Sequence, residues 1–173
     1  LNTPHIDRLA TDGVLLDNFF CATPVCSPSR GAMMSGLYPQ TNGMLGLAHP
    51  PSNWIYDDHV QHLSKRLRDL GYHTALFHHQ HEVMPDRIAE RLSFDEYRVP
   101  QDTTPTPEQI GRDFAEFAAG YDRDAPFYAQ IGFGITHTPW DVQDTPPDDE
   151  KGVYVFPHLV DNDAARQHLA PLQ

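Results

Sequence analysis

Two apolar runs constrain this chain more than anything else in it: "YHTALFHH" at 72–79 and "APFYAQIGF" at 125–133. Each has the length and composition of one buried strand, and each follows a segment with helical periodicity. Ahead of the first, "DDHVQHLSKRLRDLG" (57–71) sets Val60, Leu63, Leu67 and Leu70 at helical spacing and closes on Gly71. Ahead of the second, "TPEQIGRDFAEFAAG" (106–120) offers Thr106 as a cap, Pro107 at the first helical position and Gly120 at the end. The start of the chain repeats the alternation. "TPHIDRLATDG" (3–13) predicts a helix capped by Thr3, with Ile6, Leu9 and Ala10 on one face, and "GVLLDNFF" (13–20) predicts a strand. "SPSRGAMMSG" (27–36) predicts a short helix with Ser27 as its cap, 37–56 a loop, 136–152 another, and "DNDAARQHLA" (161–170) the start of a last helix. Helices and strands in turn predict an α/β fold, a mostly parallel sheet flanked by helices. At 173 residues without an internal repeat, one domain over 1–173 is expected.

The formal net charge of −12 argues against a nucleic-acid surface, which needs a basic patch. It leaves room for a local cationic pocket. Cysteine is confined to positions 21 and 26, so neither a disulfide framework nor a zinc quartet is available. No apolar run approaches the length of a membrane span, and the first residues show no signal-peptide pattern. The eleven histidines stand out, because imidazole serves as acid, base, anion donor or metal ligand near neutral pH.

In open α/β sheets, sites gather beyond the carboxyl ends of strands. The three segments that follow the expected strands are "CATPVCSPSR", "HHQH" and "GITHTPW", and they hold all the candidate chemistry. Cys26 lies just before an expected helix start, where the dipole and free N–H groups favour a thiolate, and Arg30 one turn later can add a fixed positive charge on the same side. The plainer alternative is a small buried Cys beside a solvent-facing Arg. His79 and His81 fall on one side of an extended segment and could clamp an anion or hold a metal; a polar loop is the alternative. An H-x-H-x-D-H metal site would need Asp and His at 83 and 84, where the chain has Val83 and Met84. His137 caps a strand end or serves a site. There is no G-x-S-x-G, no Walker loop, no G-x-G-x-x-G and no H-E-x-x-H.

"CSPSRGAMMSG" resembles the sulfatase signature, C-x-P-S-R followed by two small residues, two apolar residues, Ser or Thr, and Gly. The surroundings are similar to the same family: "TPHIDRLATDGVLLDNFFCATPV" to its lead-in, "LRDLGYHTALFHHQH" to its "GYxTAxxGKWH" segment, "PFYAQIGFGITHTPW" to its "PFFLYLSFxxPHxP" strand and loop, and "VFPHLVDNDAARQHLA" to "PxxLPDTPxxRxDLA". "SGLYPQTNGMLGL" leans toward the branch of N-sulfoglucosamine sulfohydrolase. The resemblance implies an alkaline-phosphatase-like sandwich and hydrolysis of sulfate esters or sulfamates in a sulfated small molecule or glycan. It implies that a maturation enzyme oxidises Cys26 to formylglycine. The hydrated aldehyde attacks sulfur with one hydroxyl and expels sulfate with the other. On the same basis Cys26 as formylglycine would be one ligand of a Ca²⁺ or Mg²⁺ ion. Arg30 would hold the diol, His81 would assist proton transfer, and His137 would contact the diol or sulfate.

The chain departs from the family in two ways. His79 stands where the family has Lys, so sulfate binding there becomes pH-dependent. Glu82 and Val83 replace Leu-Gly, and a carboxylate beside a sulfate pocket repels substrate unless it points away. The family's remaining metal ligands precede residue 1 or follow Gln173. The expectation is therefore one partial catalytic domain, an internal fragment that alone binds metal poorly and is inactive. A periplasmic, secreted or lysosomal-type compartment is implied by the family alone. Two alternatives stand beside the enzyme: a non-catalytic remnant or anion-binding module on the same fold, and a thiol hydrolase using Cys26 with His81 or His137.

Overall fold

Every residue of β1 (His73–His78) is buried, because β1 is the middle strand of a three-stranded sheet. It pairs in parallel with β2 (Glu96–Arg98) on one side and β3 (Phe127–Gly132) on the other, Ala75 lying opposite both Glu96 and Ala129. The computed structural model describes residues 3–100, 105–134, 137 and 152–170. It divides the chain into two units, Phe20–Gly134, which contains the sheet, and Leu1–Phe19 with Ile135–Gln173.

Alternation along β1 sends neighbouring side chains to opposite faces and so builds two cores. Leu76 joins Met44, Tyr56, Val83, Ile88, Leu92 and Phe94. Ala75 and Phe77 join Phe117, with the Phe77 and Phe117 rings 5.3 Å apart. Burial of one such Phe contributes roughly 1.5–3 kcal/mol, so a sheet of only three described strands is anchored from both sides.

The helices of this unit are α2 (Cys26–Ser35), α3 (Pro39–Asn42), α4 (Leu63–Asp69), α5 (Ile88–Arg91) and α6 (Pro107–Gly120). The longest, α6, begins as its sequence predicts. Thr106 accepts a hydrogen bond from Gln109 N at 3.3 Å, Pro107 opens the first turn, and Ile110, Phe114 and Phe117 form one apolar stripe. Gly71 takes φ +91° between α4 and β1, a turn that L side chains resist.

Three expectations change. Residues 13–20 form no strand: Val14, Leu15, Leu16, Phe19 and Phe20 are 64–84% exposed. Apolar composition alone does not make a strand, since its backbone groups need a neighbour, and none of the described strands takes this segment. The helix expected over 57–71 shrinks to α4, because tertiary contacts hold its first part extended: Asp57 N donates to Asn42 O at 2.9 Å, Val60 packs on the core, and buried His62 caps α4 through Ser64 N. The loop expected over 37–56 contains α3, and β2, three mostly polar residues, was not expected at all.

In the other unit, α1 (Pro4–Asp12) and α7 (Asp163–Leu169) lie where the sequence predicts helices. Asn162 caps α7 by accepting from Ala165 N at 2.8 Å. Thr3 occupies the cap position of α1, but its hydroxyl donates to Asp7 Oδ1 at 3.0 Å instead of accepting from the backbone. The loop expected over 136–152 lies outside the described residues except for His137 and Gly152.

Candidate functional site

Helix α2 starts two residues earlier than its sequence suggests. Cys26 is its first residue and Val25, in extended conformation, its cap. Ser27 is not the cap because its hydroxyl is used elsewhere: buried, it accepts from Ala48 N at 3.1 Å. That bond ties the start of α2 to the residue preceding His49. Cys26 is a half-buried free thiol at this end of the helix. Arg30 is one turn further on, also half-buried, and its charge acts on Glu82 and Tyr56.

The histidines come from the end of β1. His78, at φ +63°, turns the chain, and its Nε2 meets Asp113 Oδ2 of α6 at 2.6 Å. Burial works against the ionised Asp113, but hydrogen bonds from Gln109 and His78 outweigh it and hold the carboxyl below the usual range. His79 N then donates to Gly132 O at 3.3 Å. The turn that follows is shaped by one buried amide: Gln80 Oε1 accepts from Glu82 N and Val83 N at 2.9 and 3.1 Å, while its Nε2 donates to Val83 O at 2.7 Å. So held, the rings of His79 and His81 lie 5.7 Å apart, as the two-residue spacing predicts. His49 stacks on His81, with centroids 5.0 Å apart and planes 10° from parallel. A cavity of about 430 Å³ opens among His49, His78, His79, His81, Gly132 and Gly134.

Glu82 does not face this cavity's histidines as a competing anion. It is fully buried beneath them, near Tyr56, Gln130 and Tyr128 and under the influence of Arg30. Neither carboxylate oxygen has a well-formed hydrogen bond, and the Gln130 amide and Tyr56 hydroxyl beside it are equally unsatisfied. Burial raises the Glu82 pKa, and the attraction of Arg30 offsets only part of that. Burial and then the Glu82 charge push both tyrosines upward too. A carboxyl whose pKa rises on folding adds stability only while protonated, and that contribution is lost as pH climbs from the ordinary Glu value through the raised one. Glu82→Gln is thus expected to match the parent near pH 4.5 and to exceed it at pH 8 by about 1–3 kcal/mol. Urea unfolding midpoints at both pH values measure this, and a variant weaker than the parent at pH 8 contradicts it.

Of the residues singled out in the sequence, the structure brings His79 and His81 together and ties the α2 start, with Cys26, to the cavity wall through Ser27 and Ala48. His137 is exposed and belongs to the other unit. His49 and Gln80 escape sequence reasoning, since both act through contacts that no spacing reveals. Among the described residues no group of three or more His, Cys, Asp or Glu is arranged to hold a metal ion. A hard divalent cation takes several oxygen ligands, six to eight for Ca²⁺, whereas the cavity wall is rich in imidazole nitrogen. The described residues do not by themselves fit a Ca²⁺ or Mg²⁺ site.

The architecture is shared with the solved structure of BT4656 in complex with its substrate D-glucosamine-2-N,6-O-disulfate. The two superpose with a TM-score of 0.66 at 20% identity, over 83% of this chain and 31% of that one. The chain thus shares the α/β fold of that protein, a parallel sheet flanked by helices. The sulfatase family profile matches residues 1–162, and the chain belongs to that family. Relatives include human N-sulphoglucosamine sulphohydrolase, 30% identical over 147 residues (78% of this chain and 27% of that protein), and human steryl-sulfatase, 41% identical over 83 residues (44% and 14%). The chain therefore spans about a quarter or less of the length of these relatives. No helix among the described residues is long and apolar enough to cross a membrane.

Proposed function

We propose that this chain carries the nucleophile-bearing part of a catalytic domain that hydrolyses sulfate esters or sulfamates of small molecules or glycans, with residue 26 oxidised to formylglycine by a maturation enzyme. One observation carries the reading: the bond from Ser27 to Ala48, which links the start of α2 to the wall of the histidine cavity. Membership of the sulfatase family supports the reaction class.

Hydrated, an aldehyde at residue 26 supplies one hydroxyl to attack sulfur and a second through which sulfate is later expelled. The other residues bind and move protons around it. Arg30 lies one helical turn from residue 26 and places a guanidinium charge on the same side. His81, fixed by the Gln80 turn and the His49 stack, takes and returns the proton of the reacting oxygen. His79 contacts sulfate oxygen from the strand end. A role for His137 in stabilising charge or protonating the leaving group rests on the family resemblance of "GITHTPW" alone. The described residues do not compose a metal site; the whole protein's Ca²⁺ or Mg²⁺ would draw on further ligands.

The test is the chemistry of residue 26. The whole protein, produced in a host with the maturation machinery, should yield a tryptic peptide 9–30 that reacts as an aldehyde and should release 4-nitrophenol from its sulfate ester, whereas residues 1–173 alone should bind metal poorly and release little or none. An unmodified, fully alkylatable thiol without turnover would instead support a non-catalytic anion-binding module. Turnover that is abolished by thiol alkylation would support a cysteine hydrolase.

A further inference from the structure

We propose that His49 is a third anion-binding imidazole of the cavity, and that with His79 and His81 it makes capture of a sulfate group an acid-favoured step. This rests on the cavity being the sulfate pocket.

The hydrogen bond that His49 makes fixes what its ring can do. Nδ1 lies 2.8 Å from the carbonyl oxygen of Pro50. A carbonyl only accepts, so Nδ1 carries the proton. In the neutral ring Nε2 is then a lone pair, which cannot bond to an oxyanion. Protonation turns Nε2 into a donor and gives the ring its charge. His49 therefore engages sulfate only as imidazolium.

The cavity concentrates this dependence. Its described lining holds four histidines and no Lys, Arg, Asp or Glu. Among these described lining residues, positive charge can come only from imidazole. One of the four, His78, is committed to Asp113. The parallel stack of His49 on His81 at 5.0 Å disfavours charging both rings at once. A sulfate at their edges relieves that repulsion, so anion binding and proton uptake are linked. Among the described residues, the titratable and charged groups around His49 include His81 against its face and His79 beyond, the His78–Asp113 pair at the strand end, and Asp86 and Arg87 lining a neighbouring cavity with Ala48 and Met84. Glu82 is turned into the core, where Arg30 acts on it.

The test is calorimetric binding of inorganic sulfate, with 4-nitrophenyl sulfate kinetics, on the whole protein at pH 5.5 and 7.5. The parent, His49→Gln and His49→Lys are compared after their thermal midpoints are checked. Binding that takes up a proton should tighten severalfold or more as pH falls from 7.5 to 5.5. His49→Gln should lose most of that ratio, chiefly by weakening the low-pH affinity. His49→Lys should keep strong binding at both pH values, because its charge is fixed. A parent with no pH dependence overturns the proposal. So does a folded His49→Gln that retains the parent's ratio while turnover persists, which leaves the sulfatase reading standing. A parent that neither binds sulfate nor hydrolyses the ester overturns both.

Discussion

In the whole protein, Cys26→Ala is expected to lower 4-nitrophenyl sulfate hydrolysis by on the order of 10⁴-fold or more, the scale seen when a covalent nucleophile is removed. The thermal midpoint should hardly move. Cys26 is only half-buried at the first position of α2, and Ala is a better helix former. Cys26→Ser sharpens the result. A serine keeps a hydroxyl at the helix start, yet its attack on sulfur leaves an ester that a second water must open, whereas a geminal diol releases sulfate by collapsing to the aldehyde. Cys26→Ser should therefore show at most one turnover of product before stalling. Residue 26 is not the nucleophile if Cys26→Ala retains more than a tenth of the parent rate. Steady turnover by Cys26→Ser would remove the need for the aldehyde.

Gly132→Ala should cost about 3 kcal/mol of stability, at the upper end of overpacking penalties, and close the cavity. Gly132 is the last residue of β3, opposite His78, and its carbonyl receives the His79 N–H. A Cβ at this position would overlap the His79 carbonyl oxygen and lie 2.6 Å from the carbonyl carbon. Both are backbone atoms and cannot rotate aside. Either the two strands part or the histidine turn is displaced. Gly111→Ala is the control: it lies in α6 with nothing within 4 Å of its Cβ, and should gain roughly 0.5–1 kcal/mol. Equal urea midpoints for Gly132→Ala and the parent would show that the close approach carries no cost.

The sequence made β1 and β3 legible as strands following helical segments, but only β1 is buried throughout; β3, at the edge of the described sheet, exposes Phe127 and half-buries Tyr128, Ala129 and Ile131. It made α1 legible through its apolar face, and α2 and α6 through their Pro and Gly signals and, for α6, its Thr106 cap. It misled at 13–20, where strand-like residues have no neighbouring strand, and at 57–62, where core contacts override helical spacing. In the site, the two-residue spacing of His79 and His81 carried their proximity, and the signature around Cys26 carried the family. The substitution at 82 was visible, but the direction of its side chain was not. That direction is set by Gln80, whose amide bonds backbone two and three residues ahead. His49 is remote in sequence from its stacking partner, so only the folded chain pairs them.

The parallel connections also set the order in which this site can assemble. Joining β1 to β2 closes a stretch of about 20 residues, while joining β1 to β3 closes more than 50. The longer closure costs roughly 0.8 kcal/mol more in chain entropy, before any contact repays it. The β1–β2 half is the cheaper nucleus, with Leu76, Ile88, Leu92 and Phe94 already within its span. The cavity borrows Gly132 and Gly134 from the costlier half. Assembly of the histidine pocket is thus bound to the docking of β3, and a fluctuation that frees β3 disassembles the pocket while the neighbouring core remains folded.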